Sequence, residues 1–268
     1  MLTTMVPERL FQISFMLSLV MLLSSCDDHD DETSPLANQT IHGKTIHVGE
    51  GTAYSWATFD EAGNPAAVGV RISEQAVNTL PQQDNSEGHG HMIYYEMELP
   101  QEIMQQTPFK HIVMDWNPMG HPPALYELPH FDAHFYMISS AARKAIGDEA
   151  SDSKLMIEPA PRYLPADYID VQVNVPQMGK HWVDRYSPEL NGEKFTQTMI
   201  YGSYDGRVIF FEPMYTVEYL QSKPDDTFDL KQPEEFQQKG LYYPTRYGFR
   251  YDADKKEYVI WLDNMQLK

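Results

Sequence analysis

The stretch Pro129-His130-Phe131-Asp132-Ala133-His134-Phe135-Tyr136 constrains this chain more than any other. Polar His130, Asp132 and His134 alternate with apolar Phe131, Ala133 and Phe135. Successive side chains of a β-strand point to opposite faces. A strand here therefore sets three apolar residues toward a core and three polar residues on the other side. A helix would also bring His130 and His134 to one face, at i and i+4. The Phe/Ala/Phe alternation favours the strand.

Similar patterns recur along the chain. The 17 tyrosines and 12 phenylalanines favour strands, and no long amphipathic helix is present. The expected class is mainly β, an antiparallel barrel or sandwich with a few short helices. Strands are expected over Ile41 to Val48, Thr52 to Phe59, Ala67 to Ile72, Met92 to Leu99, Phe109 to Trp116 and Tyr168 to Val175. Two further hairpins are expected. One joins Phe195–Tyr201 to Arg207–Glu212 through the turn Gly202-Ser203-Tyr204-Asp205-Gly206, with Asp-Gly as the hairpin signal, and the other joins Tyr242–Tyr251 to Glu257–Leu262. Ser73 is placed to cap a short helix starting at Glu74, and Ser140 to cap one over Ala141–Ile146. Pro176 to Asp184 reads as a loop. The proline-rich 150–167 segment reads as a linker or a surface loop.

The first 25 residues read as a lipoprotein signal peptide. Arg9 precedes the apolar run Leu10 to Leu23, and Leu23-Ser24-Ser25-Cys26 resembles a bacterial lipobox. Cys26 is the chain's one cysteine, so lipidation is expected there and no disulfide supports the fold. The acidic run Asp27 to Glu32 makes 26–39 a tether, followed by one β-rich domain over 40–268. The expected location is the bacterial cell envelope, at the outer membrane or cell surface, with the membrane engaged through lipid. A net charge of −19 argues against nucleic acid as a partner.

Seven histidines lie between His89 and His181. His121, His130, His134 and His181 sit beside Pro, Gly or strand ends, and Asp132 and Glu212 supply carboxylates. Histidine with carboxylate suits a divalent transition metal. The expected ligand set is His130, His134, His181 and Glu212, zinc-like, with Asp132 as candidate base in a metal-dependent hydrolysis. His89-Gly90-His91 is a weaker pinch for a metal. Met119 and Met178, each just before a histidine, would suit copper, although methionine fills cores more often. On a flat strand His130 and His134 lie about 13 Å apart. Either the strand bends at Pro129 or one histidine supports the site from outside.

The order Pro176-x-Met178-Gly179-x-His181, after Asp132-x-His134, is similar in part to the histidine motifs of cupins, with Asp in place of the usual first His. A broader likeness rests on Val113-Met114-Asp115-Trp116-Asn117-Pro118-x-Gly120-His121, the 129–136 stretch, Met178-Gly179-x-His181-Trp182, Tyr201-Gly202-x-Tyr204-Asp205-Gly206, Glu212-Pro213-Met214 and Tyr243-Pro244-Thr245-Arg246-Tyr247. With these the chain resembles an uncharacterised family of secreted or lipid-anchored bacterial proteins. One member is controlled by a stress sigma factor and forms a ring oligomer. The resemblance implies one continuous domain and a homo-oligomer, and carries no activity. The alternative to a metal enzyme is a non-enzymatic binding or assembly protein of the envelope, with its histidines satisfied internally.

Overall fold

The computed structural model describes residues 1–2, 34–82 and 92–268. The signal peptide, Cys26 and the His89–His91 pinch lie outside the described residues. From residue 34 onward the chain forms one compact unit, so the 150–167 segment is a packed loop and not a linker.

Among the described residues two antiparallel seven-stranded sheets make up most of the fold. The N-terminal part supplies β1 (Thr40–His42), β2 (Ile46–Val48), β3 (Gly51–Phe59) and β4 (Pro65–Ser73), followed by α1 (Glu74–Asn78). The middle of the chain supplies β5 (Ile93–Glu98), α2 (Gln101–Gln106), β6 (His111–Asn117), β7 (His130–Tyr136), α3 (Ser140–Lys144), β8 (Tyr168–Val175), β9 (Gly179–Asp184), β10 (Gln197–Tyr204), β11 (Arg207–Thr216) and α4 (Val217–Gln221). The C-terminal part supplies β12 (Asp225–Asp229), β13 (Tyr242–Tyr243), β14 (Arg246–Asp252), β15 (Glu257–Asp263) and β16 (Gln266–Leu267). One sheet runs β1-β3-β4-β15-β14-β12, with β2 also paired to β3. The other runs β5-β6-β7-β11-β10-β9-β8, and β13 pairs β16 separately. The arrangement is a sandwich and not a closed barrel.

The main core lies between the sheets. Phe131, Ala133 and Phe135 of β7 are fully buried there with Ile112, Met114 and Phe211 of the same sheet, against Val70, Ile72, Phe249 and Ile260 of the other. Burying one such side chain contributes roughly 1.5–3 kcal/mol. The aromatic residues that favoured strands go mostly into this core: Trp116, Tyr201, Tyr215 and Tyr258 are also fully buried. The alternation seen in the sequence thus fixes which face of β7 meets the core. A second apolar cluster, with Tyr136, Phe195, Phe210 and Met214, covers the opposite face of the β5–β8 sheet.

Local signals account for several boundaries. Ser73 caps α1, its hydroxyl accepting from Ala76 N at 3.1 Å and from Thr52 N at 3.0 Å. Ser73→Ala should therefore lower stability by about 1 kcal/mol in a urea melt. The cap of α3 is Ser139 rather than Ser140, its hydroxyl accepting from Ala142 N at 3.2 Å. The expected first strand is two short strands, β1 and β2. The expected loop at 176–184 is a tight turn at 176–178 followed by β9. Pro176 and Gly179 look like loop residues, yet Pro176 opens the turn, Gly179 follows it, and Lys180–Val183 pair with β10. β11 does not end at Glu212 but runs on to Thr216. Pro213 has no N–H to give, and the β7–β11 ladder passes from Phe211↔Phe135 to Met214↔Asp132, skipping Glu212 and Pro213.

Candidate metal centre

The polar face of β7 is the centre of a larger polar patch. Cross-strand register sets Asn117 opposite His130, Asp115 opposite Asp132 and Val113 opposite His134. On the far side of β7 comes β11, where the same register brings Glu212 level with His134. Glu212 in turn lies opposite Ile200, and Gly202 opposite His181 on β9. Asp115, Asn117, His130, Asp132, His134, His181 and Glu212 therefore share one face of one sheet, and all seven are buried.

The patch resolves into two groups whose ligand atoms lie within 4.8 Å of one another: His134, His181 and Glu212, and His121, His130 and Asp132. The four-residue set expected from sequence is thereby divided. His134, His181 and Glu212 converge, while His130 joins Asp132 and His121. The bend that could have united His130 with His134 is absent, because β7 is one regular strand from His130 to Tyr136 paired on both sides.

In the first group the Nε2 atoms of His134 and His181 stand 3.5 and 3.7 Å from Glu212 Oε2. Two ligands about 2.1 Å from one ion at a tetrahedral angle stand about 3.4 Å apart. On its other side His134 presents Nδ1 to Asp115 Oδ2 at 3.0 Å. A carboxylate behind an imidazole is the usual support of a metal-ligating histidine. Asp115 escaped the sequence-based ligand set. The signal was a carboxylate in the otherwise apolar run Val113-Met114-Asp115-Trp116. Phe210 packs edge-on against both His134, at 4.8 Å, and His181, at 5.3 Å. Gly202 makes room for that ring, since a Cβ there would overlap Phe210.

In the second group His130 Nδ1 lies 2.6 Å from Leu128 O, and His121 Nδ1 lies 2.8 Å from Pro122 O. A carbonyl can only accept, so both Nδ1 atoms donate and both Nε2 atoms are left for Asp132. They lie 3.1 and 3.5 Å from its two oxygens. Asn117 donates to Asp132 Oδ2 at 2.8 Å.

Burial and charge set the protonation states. Burial, with His134 close by, pushes His181 down to about 3, so this imidazole is neutral. Burial works against a charge on His134, but Glu212 and Asp115 outweigh it and raise this histidine to about 9. Burial pushes Glu212 up to about 8 despite His134. This pair holds protons tightly because two carboxylates and an imidazole are enclosed together. Burial also opposes the charge on Asp132, yet His130 and His121 hold its carboxyl well below the usual range. His121 rises to about 9 against its own burial, through Asp132. Asp132 is thus a weak proton acceptor, which counts against the expected role of base.

Among the described residues His134 Nδ1 and Nε2, both Asp115 oxygens, Glu212 Oε2, Asp132 Oδ1 and His130 Nε2 are buried without an aligned hydrogen-bond partner. Leaving such a group unsatisfied costs roughly 1–3 kcal/mol. So many orphaned donor atoms converging on two points suit the binding of divalent cations. Met119 is exposed, and Met178 lies in the apolar cover.

A family model described as TTHB210-like, hypothetical protein TTHB210, matches residues 60–116. The match runs from the turn before β4 to the end of β6. It takes in Asp115 and stops short of His121, His130, His134, His181 and Glu212. No curated protein and no solved structure matches the chain.

Proposed function

We propose that the chain is a lipoprotein of the bacterial cell envelope, anchored through Cys26, whose domain holds a divalent ion at His134, His181 and Glu212 for hydrolytic chemistry. Two imidazoles and one carboxylate are a donor set that suits zinc and leaves a position for substrate. The observation that carries this reading is the convergence of three buried ligand atoms backed by Asp115. A divalent ion there supplies Lewis-acid polarisation of a carbonyl and acidifies water. His121 lines the same cavity as His181 and Glu212, with Nε2 toward Asp132, and is the side chain placed to carry a proton to a leaving group. The second group, His121–His130–Asp132, accounts for why His130 is retained beside the centre without joining it.

Metal analysis of purified protein is the test: zinc in near one-to-one ratio supports the reading, and protein that neither retains nor takes up zinc contradicts it. Zinc affinity should rise with pH, because the ion displaces protons held by His134 and Glu212, at about 9 and about 8. Titrations at about pH 6 and about pH 8 should differ more than tenfold in affinity. Among the described residues no helix is long and apolar enough to cross a membrane. Replacing Cys26 by serine should move the protein from the membrane fraction to the soluble one.

A further inference from the structure

A cavity of about 470 Å³ opens over the metal centre. Small-molecule sites occupy roughly 300–1,000 Å³. Four charged or polar side chains line it, His121, Asp132, His181 and Glu212, and they come from the two groups described above. Its other walls are apolar, from Met178, Val183, Leu190, Ile200 and Met214, with prolines at the rim. Tyr126 also lines it, and its hydroxyl donates to Glu189 at 3.3 Å, so that it adds ring surface.

The edge strand β8 supplies the remaining wall in an unusual way. Its pairing with β9 breaks between Asp170 and Asn174, and Gln172 takes a left-handed backbone, with φ at 58°. Val171, Val173 and Val175 line the cavity, and Val171 stays 36% exposed. Valines on a half-covered edge strand leave apolar surface in water unless something apolar covers it. The wall is concave and belongs to the cavity, so the cover it fits is a chain lying inside.

We propose that this cavity binds a single-chain amphiphile with a carboxylate head, the hydrocarbon chain lying against the β8 valines, Leu190 and Ile200 and the head reaching the His134–His181–Glu212 centre. The inference rests on the metal reading for its head group only. Without an ion the floor offers an anionic head no open partner, since Asp132 already engages His121 and His130 and Glu212 holds its own proton. With a divalent ion the same floor attracts it. The volume suits one hydrocarbon chain and is small for a two-chain lipid. A hydrolase built on this site would then act on acyl esters or amides, whose product is the carboxylate that the site holds.

Calorimetric titration of the full chain separates the two claims. Zinc-loaded protein is titrated with acetate, octanoate and dodecanoate, and metal-free protein with dodecanoate and dodecanol. Each added methylene should tighten carboxylate binding, at up to about fourfold per group buried. Dodecanol should bind the metal-free protein, and dodecanoate should bind it at least tenfold more weakly than it binds the zinc-loaded form. Leu190→Trp, which fills the cavity, and Val171→Asp, which makes its rim polar, should each weaken dodecanoate binding at least tenfold, with folding checked by circular dichroism. If zinc binds but dodecanoate is no tighter than acetate, the amphiphile inference is overturned while the metal reading stands. If zinc fails to bind while dodecanol binds, the metal reading falls and the apolar part of the inference stands. The chain-length series on wild-type protein separates these outcomes even where a variant fails to fold.

Discussion

His134→Ala should lower the zinc affinity of the folded protein by more than about 100-fold. Loss of a group that merely supports a metal ligand costs about 10–100-fold, and on the proposed reading His134 would itself be a ligand, with Nε2 3.5 Å from Glu212 and Nδ1 3.0 Å from Asp115. Asp115→Asn should fall in the supporting range, about 10–100-fold, because the amide keeps the shape and loses the charge that orients the imidazole. In metal-free protein His134→Ala removes a buried imidazole whose nitrogens lack aligned partners. Its stability without zinc should fall by about 3–5 kcal/mol, because the change takes the partner from buried Asp115 and Glu212 and removes packing against Phe210 and Tyr136. Wild-type protein should gain about 2.7 kcal/mol at zinc 100-fold above its Kd, and His134→Ala should gain almost none. Isothermal titration paired with thermal melts with and without zinc measures both.

The neighbouring residue should behave differently toward zinc. Phe135→Ala is expected to cost about 3–5 kcal/mol in urea unfolding, the range for emptying a phenylalanine site in a core. Phe135 is fully buried between the sheets and meets Phe109 edge-on at 5.9 Å. It makes no contact with the metal centre, because its side chain leaves β7 on the other face. Whatever fraction of Phe135→Ala remains folded should bind zinc with an affinity within a few-fold of wild type. The contrast between two adjacent positions, only one of which loses zinc affinity, tests the two-faced reading of β7. An equal loss of zinc affinity at both positions would contradict it.

That two-faced strand was legible in the sequence because a period of two needs only the residues themselves. The hairpins around Asp205-Gly206 and 252–256 were legible for the same local reason, and β10–β11 and β14–β15 form where their turn residues place them. The division of the histidines into two groups was not legible. It depends on which strands lie beside β7, and the order β6-β7-β11-β10-β9 is a long-range property. Two local signals also misled. Pro176 and Gly179 suggested a loop around His181, where the chain makes one tight turn and becomes a strand. Pro213 suggested that the strand ends at Glu212, where the ladder to β7 skips Glu212 and Pro213 and the strand continues. Asp115 was visible as a charge in a buried strand, but its part in the site required the partner across the sheet.

The most direct test of the metal centre is anomalous diffraction at the zinc edge from crystals grown with zinc. A peak is expected about 2.0–2.2 Å from His134 Nε2, His181 Nε2 and a Glu212 carboxylate oxygen. A peak confined to His121, His130 and Asp132, or no peak on this face of the sheet, would contradict a centre built on His134, His181 and Glu212.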